Sequence, residues 1–294
     1  MLWYRLRLTL DMIKFEHSIF ALPFALTGAL LAFRQNGFDS HQIGRQVLWI
    51  VVAMVATRSA AMAFNRLIDA DIDARNPRTK MRHLPSGLLS QDFTWGFVMV
   101  SCLLLFFAAF ELNRLCLLLA PLALAIVFFY SYTKRFTSFS HLVLGFCLGI
   151  APAAAWIAVR GTLDPRILLL TAAVTFWTAG FDMIYSCQDY DFDRREGLHS
   201  VPRFLGIASA LRLARVLHDL MIVCLLALVY TLHLGPLAVA GVAAILGLLI
   251  YEHSLVKPND LSRVNAAFFT MNGYVSVLFF LFWAADIFLR KPGA

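Results

Sequence analysis

Nine segments of predominantly apolar residues follow one another along the chain. A helix of about 20 such residues crosses the ~30 Å hydrocarbon core of a bilayer, and its backbone groups are satisfied within the segment. Hydrophobic residues make up 60% of the chain and charged residues 15%, which excludes a soluble globular domain. We therefore predict an all-α, polytopic membrane helical bundle. The predicted spans are 17–34, 46–66, 93–112, 115–132, 138–159, 166–188, 212–233, 236–254 and 266–288.

The whole chain, residues 1–294, is predicted to form a single transmembrane domain, because no Pro/Gly/Ser-rich or strongly charged linker divides it. Its five cysteines stand singly in apolar segments, without CxxC spacing. Neither a disulfide framework nor a zinc site is therefore expected.

Lysine and arginine are distributed unequally between the two ends of the spans. The N-terminus and the loops on its side carry 17 of them, and the opposite side carries seven. By the positive-inside rule, the cation-rich side, with the N-terminus, is predicted to be cytoplasmic. The net charge of +7 mostly reflects this asymmetry. Because no aromatic-interleaved basic patch accompanies it, we expect no nucleic-acid partner.

Two short windows, at the cytoplasmic ends of the second and sixth predicted spans, hold eight of the 18 acidic residues. Three positions of the first window match three of the second at a constant offset of 120 residues. The matched residues are Asn65, Asp69 and Asp73 with Tyr185, Asp189 and Asp193. This repeat predicts two related halves that face each other across a shared cavity.

Helical phase separates the aspartates within each window. Positions four apart lie on one face of a helix, about 40° from each other. One predicted stripe comprises Asn65, Asp69 and Asp73, and the other comprises Asp182, Tyr185, Asp189 and Asp193. Asp71 and Asp191 are expected to point away from these stripes.

The two acidic stripes are expected to bind a cation. A single carboxylate at a membrane interface is most simply a solvated helix end, but carboxylates stacked at i, i+4 repel and are costly near lipid without a counter-ion. Carboxylates without a nearby histidine or cysteine pair favour a hard cation such as Mg²⁺, which completes its shell with water and substrate phosphates. The basic residues that follow suit a phosphorylated ligand. They are Arg78, Lys80 and Arg82 in the first window and Arg194, Arg195 and His199 in the second. A diphosphate whose tail requires an apolar bundle is a prenyl diphosphate.

These motifs match a known family. The first window reads N-x-x-x-D-x-x-x-D from Asn65, followed by R-T-K-x-R-x-L-P-S-G from Arg78. It resembles the first signature of the UbiA superfamily of intramembrane prenyltransferases. The second window, D-x-x-Y-x-x-x-D-x-x-x-D from Asp182, resembles the second signature, and 130-YSYTKRFT-137 resembles a third. With the predicted spans, the resemblance covers essentially the whole chain.

Two positions depart from the family pattern. The first motif usually begins Asn-Asp, but this chain has Asn65-Arg66, so Arg66 is left out of the metal ligands. His199 stands where lysine is common. The segments at 14–25 and 185–202 resemble the bacterial quinone-biosynthesis branch, which prenylates 4-hydroxybenzoate, or the dihydroxynaphthoate of the futalosine route. The resemblance thus implies ubiquinone or menaquinone biosynthesis in a bacterial cytoplasmic (inner) membrane.

The resemblance also implies a role for each candidate residue. The metal ligands would be Asp69, Asp73, Asp189 and Asp193, which bind two Mg²⁺ ions that bridge the diphosphate of a polyprenyl diphosphate. Diphosphate binding is implied for Asn65, Arg78, Lys80, Arg82, Arg195 and His199. The ring faces of Tyr130, Tyr132 and Tyr185 would stabilise the allylic carbocation. Arg135, or alternatively Lys134, would bind the carboxylate of the aromatic acceptor. Arg58, within the second span, would pair with Asp182 or the substrate.

Structural roles are the alternative interpretation of these residues. Each tyrosine is alternatively a packing residue or part of the aromatic belt at the membrane interface, and Lys134 and Arg135 are alternatively residues that only follow the positive-inside rule. A cation-coupled transporter is an alternative function from another class, although transport sites lie near the bilayer midplane. Within the family, the acceptor is alternatively haem, a tetrapyrrole or a lipid ether. Membrane lipids are expected partners in every case.

Overall fold

The structure is a computed structural model that describes residues 2–14, 20–36 and 40–289. In these ranges the chain forms thirteen α-helices and no β-strand. They are α1 (Leu2–Met12), α2 (Leu22–Asn36), α3 (Ser40–Ile68), α4 (Ala70–Arg75), α5 (Gln91–Leu112), α6 (Arg114–Thr133), α7 (Ser140–Arg160), α8 (Leu168–Ser186), α9 (Tyr190–Glu196), α10 (Val201–Leu205), α11 (Ile207–Thr231), α12 (Pro236–Leu255) and α13 (Asn272–Leu289). The all-α prediction is confirmed.

Eight helical segments in the described ranges are long and apolar enough to cross a membrane. They correspond to the second through ninth predicted spans, and the protein is an integral membrane protein. The first predicted span, 17–34, corresponds to α2, of which 15 residues are described. Residues 17–19 of that prediction lie outside the described residues.

Asn113 alone separates α5 from α6, which correspond to the third and fourth predicted spans. This residue ends α5, and its side-chain oxygen accepts a hydrogen bond of 2.9 Å from the Cys116 backbone N–H in the first turn of α6. A side-chain acceptor at this position satisfies one of the unpaired N–H groups at the start of a helix. One residue therefore suffices to separate two spans.

The helices group into two compact units. The first comprises the described parts of 1–18 and 48–132, and the second comprises those of 19–47 and 133–294. Each unit contains one of the two acidic windows. The single domain over residues 1–294 stays a prediction.

In the first unit, aromatic packing holds the end of α3, where the first acidic window begins. Phe64 is buried and stacks on Phe128 of α6 with ring centroids 4.2 Å apart. Trp95 of α5 meets the edge of the same ring at 5.7 Å. Because Phe64 directly precedes Asn65, this packing fixes the position of the polar residues that follow.

In the second unit, α7 and α8 approach each other closely through glycines. A Cβ atom at Gly145 would lie 2.2 Å from the Thr175 carbonyl oxygen, and one at Gly149 would lie 2.6 Å from the Thr171 carbonyl oxygen. Small residues let membrane helices bring their backbones together where no hydrophobic effect drives association. The glycines of α7 thus position α8, which carries the second acidic window.

A buried acid in α13 caps α12. The backbone N–H groups of Gly235 and Ala238 donate to the Asp286 carboxylate at 2.7 and 3.3 Å. Asp286 is only 3% exposed. Backbone donors at a helix start stabilise a buried negative charge, which explains an acidic residue inside the last span.

We expect Gly145→Ala to destabilise the protein, because the added Cβ collides with the α8 backbone. Overpacking of this kind typically costs about 1–3 kcal/mol. Thermal unfolding of the purified protein in detergent measures the change. Gly247→Ala is the matched control, since no atom of the described residues outside its own helix lies within 4 Å of a Cβ at that position. The control should unfold at the wild-type temperature or slightly above it, because alanine favours helix. Equal unfolding temperatures for the two variants would contradict the close α7–α8 contact.

Candidate active site

Both acidic windows contain the same break in helical structure. Between α3 and α4, Asp69 has φ −94° and ψ 4°. Between α8 and α9 a single 3₁₀ turn, Cys187–Asp189, ends at Asp189, which has φ −95° and ψ 5°. These values lie in a sparsely populated region of backbone space where active-site residues are often found. The 120-residue repeat therefore extends to the backbone conformation.

The helix through each predicted stripe is interrupted, at Asp69 and at Asp189. The interruption is local. In the first window the Asp69 N–H still donates to the Asn65 carbonyl at 2.9 Å, and the Asp73 N–H donates to the Asp69 carbonyl at 2.8 Å. The four-residue spacing of Asn65, Asp69 and Asp73 survives because these bonds have the α-helical pattern.

Burial separates the aspartates as helical phase predicts. Asp73, Asp189 and Asp193 are 7%, 7% and 2% exposed. Asp71 and Asp191 are exposed to solvent. Asp69 is half-buried. The stripe residues therefore lie in the surroundings where an uncompensated negative charge is most costly.

Arginine compensates the charge of Asp73. One guanidinium nitrogen of Arg82, Nη1, donates to both carboxylate oxygens of Asp73 at 2.8 and 2.7 Å. The Nη1 atom of Arg66 lies 3.9 Å from Asp73 Oδ2. Arg66, which replaces the aspartate usual in the resembled motif, thus brings a second positive charge to the first window.

A polar side chain holds Asp69. The Asn65 amide nitrogen donates to Asp69 Oδ2 at 2.9 Å and lies 3.4 Å from the Ser131 hydroxyl of α6. Asn65 therefore orients the carboxylate at the helix break, and Ser131 connects this arrangement to the neighbouring span.

The loop after α4 folds back onto the first window. The Asn76 side chain accepts from the Arg78 N–H at 2.9 Å, and the Thr79 hydroxyl donates to the Asp73 carbonyl at 3.0 Å. These bonds return the chain so that Arg82 reaches Asp73, whereas Arg78 and Lys80 are exposed. Such side-chain to backbone bonds are how Asn and Thr stabilise turns.

His83, in the same loop, is expected to be uncharged at neutral pH. Burial lowers its pKa, the charges of Lys14 and Arg66 lower it further, and Asp11 opposes them. His83 therefore adds no positive charge to the basic residues of this loop.

In the second window, a histidine that sequence reasoning missed holds Asp182. His141 Nδ1 lies 2.7 Å from Asp182 Oδ2, and the Val201 N–H points at His141 Nε2 from 3.5 Å. We assign the proton to Nδ1, because Nε2 accepts from the backbone. His141 is only 1% exposed, in the first turn of α7. Its sequence signal was a lone histidine at the start of an apolar span.

One carboxylate oxygen of Asp193 has no hydrogen-bond partner among the described residues. Its Oδ2 atom is buried and accepts no hydrogen bond within the part of the chain that the structure describes. Ser200 hydrogen-bonds the carboxylate, and the positive charge of Lys134 acts on it. The His199 N–H donates to the Lys134 carbonyl at 2.7 Å, which joins the two loops. A buried carboxylate oxygen that accepts no hydrogen bond is suited to coordinate a cation.

The predicted aromatic and acceptor-binding residues have varied surroundings. The Tyr185 ring packs against Phe268 with centroids 4.1 Å apart. Tyr132 meets the edge of Phe64 at 6.1 Å and is 40% exposed. Tyr130 and Lys134 are half-buried, and Arg135 and Arg195 are exposed. Arg58 donates to the Lys14 carbonyl at 3.4 Å, whereas Asp182 pairs with His141.

A comparison with protein families decides the identity. The model of the UbiA prenyltransferase family matches residues 21–288, which are most of the chain and include both acidic windows. The chain belongs to the UbiA prenyltransferase family. It is therefore an enzyme, and the resemblance of its motifs to the UbiA signatures is confirmed.

Named UbiA-type relatives align with most of the chain. The 4-hydroxybenzoate solanesyltransferase of Synechocystis sp. is 33% identical over 226 residues, 76% of each chain. A 4-hydroxybenzoate octaprenyltransferase of Vibrio cholerae is 28% identical over 233 residues, 79% of this chain and 81% of its own.

Solved UbiA structures have the same fold. The apo structure of a UbiA homolog from Aeropyrum pernix K1 superposes with a TM-score of 0.82 at 35% identity, over 93% of this chain and 98% of its own. A UbiA homolog from Archaeoglobus fulgidus, bound to DMAPP and Mg²⁺, superposes with a TM-score of 0.74 at 18% identity, over 96% and 99%. Because the identity to the Archaeoglobus fulgidus protein is only 18%, this superposition shows a shared fold and nothing more.

The donors of this UbiA chain fit a Mg²⁺ ion that is shared with substrate. Among the described residues, no three His, Cys, Asp or Glu side chains are grouped closely enough to hold a metal by themselves. Mg²⁺ typically takes only one or two carboxylates and completes its octahedral shell with water and substrate phosphates. Each window offers hard carboxylate oxygens, and no donor in the part of the chain that the structure describes bonds Asp193 Oδ2.

We expect His141→Ala to destabilise this UbiA enzyme and to reduce prenyl transfer, because it removes the hydrogen-bond donor of a poorly solvated Asp182 carboxylate. Losing such a partner costs about 1–3 kcal/mol of folding free energy. His141→Gln keeps an N–H donor and should lose less. Thermal unfolding and product formation, measured on the same preparations, check both variants. A His141→Ala protein with wild-type stability and rate would contradict a positioning role.

Proposed function

We propose that the enzyme transfers a polyprenyl group from a polyprenyl diphosphate to a carboxylated aromatic acceptor. The acceptor is 4-hydroxybenzoate or dihydroxynaphthoate, in ubiquinone or menaquinone biosynthesis. The observation that carries the proposal is the pair of carboxylate windows with one backbone geometry, at Asp69 and Asp189. Relatives named for 4-hydroxybenzoate support the aromatic acceptor.

Mg²⁺ is proposed to bind at Asp69, Asp73, Asp189 and Asp193. The open oxygen of Asp193 supports this ligand set, as does a fold shared with a UbiA homolog bound to DMAPP and Mg²⁺. When bound, Mg²⁺ would neutralise the charge that develops on the departing diphosphate. Asn65, through its hydrogen bond to Asp69, keeps that carboxylate oriented for the ion.

The diphosphate is proposed to bind next to the basic residues of the two windows. Arg78 and Lys80 are exposed and lie in the loop that returns to Asp73, and Arg82 already contacts that carboxylate. Arginine and lysine stabilise phosphate oxygens through charge-assisted hydrogen bonds. Arg195 and His199 are proposed to serve the second window in the same way.

The prenyl group is proposed to react inside the bundle, away from water. Tyr185 is the proposed catalytic aromatic residue, since a ring face stabilises an allylic carbocation and its own ring is held by Phe268. Tyr130 and Tyr132 are further candidates for this role. Exclusion of water protects the carbocation from hydrolysis.

The acceptor is proposed to bind through its carboxylate to Arg135 or, alternatively, to Lys134. Asp182 and Arg58 remain candidate substrate-binding residues. We further propose that the enzyme lies in a bacterial cytoplasmic (inner) membrane, with the N-terminus and the active-site loops cytoplasmic. The excess of Lys and Arg on that side supports this orientation.

An acceptor competition tests the proposed reaction. Membranes that contain the protein are incubated with Mg²⁺, a polyprenyl diphosphate and equal amounts of 4-hydroxybenzoate and dihydroxynaphthoate. We expect one prenylated aromatic product and release of diphosphate, both identified by mass spectrometry, and no product after EDTA treatment. Membranes without the protein are the control. Release of diphosphate with neither aromatic product would reject the proposed acceptor class, and full activity in EDTA would reject the metal.

The aspartate assignments predict a contrast within each window. Asp69→Asn and Asp189→Asn should lower prenyl transfer at least about 100-fold, since stabilisation of leaving-group charge by a metal is worth several kcal/mol. Asp71→Asn and Asp191→Asn are matched controls, because these carboxylates are exposed two residues away. Initial rates in membranes with equal amounts of inserted protein measure the effect. Similar losses in all four variants would show that charge at the membrane surface, rather than metal binding, governs activity.

A further inference from the structure

A groove outside the acidic windows lies between α11 and α12. Its volume is about 320 Å³, within the range of about 300–1,000 Å³ that is typical of small-molecule sites. Polar residues line one end: Arg215, His218, Asp219, His253 and Ser254. Apolar residues line the other: Ile222, Leu246, Leu249 and Ile250. The proposed prenyl transfer does not use any of them.

The polar end of the groove lies at the C-terminal end of the α12 span. His218 Nδ1 is 3.0 Å from His253 Nε2, so the two helices are at the same height here. α12 ends two residues later at Leu255, whereas α11 begins 11 residues before His218, at Ile207. With a rise of about 1.5 Å per residue, α11 extends ~16 Å past this level. The groove therefore runs from the interface, at Arg215, down into the hydrocarbon, at Leu246.

Hydrogen-bond directions make the polar end rich in acceptors. His218 Nε2 lies 3.3 Å from the Trp177 carbonyl, which can only accept, so this nitrogen carries the proton. His218 Nδ1 then accepts from His253 Nε2, and His253 Nδ1 is left as an acceptor. The Ser254 hydroxyl donates to the Tyr251 carbonyl at 2.6 Å, which leaves its lone pairs available. With the Asp219 carboxylate, three different acceptor groups line the same end.

The two charged side chains of the groove are available to a ligand. Arg215 and Asp219 stand four residues apart on α11 and are exposed. Neither side chain forms an ion pair within the described residues. A guanidinium is suited to a phosphate, and a carboxylate with two neutral acceptors is suited to a primary ammonium, which has three N–H donors. A trimethylammonium group has no such donor.

We propose that this groove binds a phospholipid whose headgroup carries both a phosphate and a primary ammonium. The phosphate binds Arg215, and the ammonium binds Asp219, His253 and Ser254. An acyl chain lies along Leu246 and Ile250.

The groove is connected to α8 through His218. A Cβ atom at Gly180 would lie 2.4 Å from the His218 ring, so glycine is required for this ring to rest on the α8 backbone. His253 holds His218 on one side and the Trp177 carbonyl holds it on the other. A lipid that orders His253 therefore also stabilises the packing of α11 against α8.

Lipid competition tests the proposal without reference to prenyl transfer. The full-length protein, purified in detergent, is mixed with equimolar dioleoyl phospholipids that differ only in carrying zero, one, two or three N-methyl groups. Native mass spectrometry then measures how much of each lipid stays bound. We expect the unmethylated lipid to be retained at least about fivefold over the trimethylated one, the ratio expected from one net hydrogen bond, with the others in between.

Substitutions locate the preference in the groove. Asp219→Asn should reduce the ratio of unmethylated to trimethylated lipid towards one, and Arg215→Gln should lower retention of all four lipids. Arg212→Gln is the control, because Arg212 is exposed one turn earlier, bonds Ser209 and does not line the groove. It should leave the ratio unchanged.

Three results would overturn the proposal. One is equal retention of the four lipids by the wild-type protein, a measurement that does not depend on the folding of any variant. Another is an Asp219→Asn protein that keeps the full preference. The third is equal protection of thermal stability by free glycerophosphoethanolamine and by the lipid, which would identify a soluble phosphate compound rather than a membrane lipid as the ligand.

Discussion

Compensation of buried negative charge shapes the chain around three of its aspartates. Asp73, Asp193 and Asp286 are each less than a tenth exposed, beside helices made to face lipid. Each carboxylate is stabilised differently: Asp73 by Arg82, Asp193 by Ser200 and Lys134, and Asp286 by the backbone N–H groups that begin α12. The loop after α4 folds back so that Arg82 reaches Asp73, and α12 begins where backbone N–H groups reach Asp286.

Local pattern was enough to predict the secondary structure and the phase of the acidic residues. Apolar segments of the right length have few alternatives in a membrane, so the eight described spans follow from composition. The exposure of Asp71 and the burial of Asp73 follow from 3.6 residues per turn. The start of α11 at Ile207, five residues before the predicted span, was missed because Arg212 and Arg215 interrupt the apolar pattern of its first turns.

The partners of the polar residues could not be predicted, because they depend on contacts distant in sequence. His141 holds Asp182 from 41 residues away, and Asp286 caps a helix that begins 50 residues earlier. The breaks at Asp69 and Asp189 were missed for another reason. No glycine or proline marks these breaks. The periodic pattern of the sequence therefore continues across positions where the helix is interrupted.

The matching backbones at Asp69 and Asp189 are accompanied by unequal electrostatics. In the first window an arginine from the adjoining loop occupies both oxygens of Asp73, whereas in the second the charge comes from Lys134, which precedes its window in the chain, and one oxygen of Asp193 stays open. Two ions bound at such sites would not be equivalent. A cation at Asp193 would meet an oxygen that accepts no hydrogen bond within the described residues, whereas a cation at Asp73 would share its carboxylate oxygens with Arg82. The repeated backbone at Asp69 and Asp189 thus carries two unlike electrostatic surroundings, which a symmetric pair of sites would not.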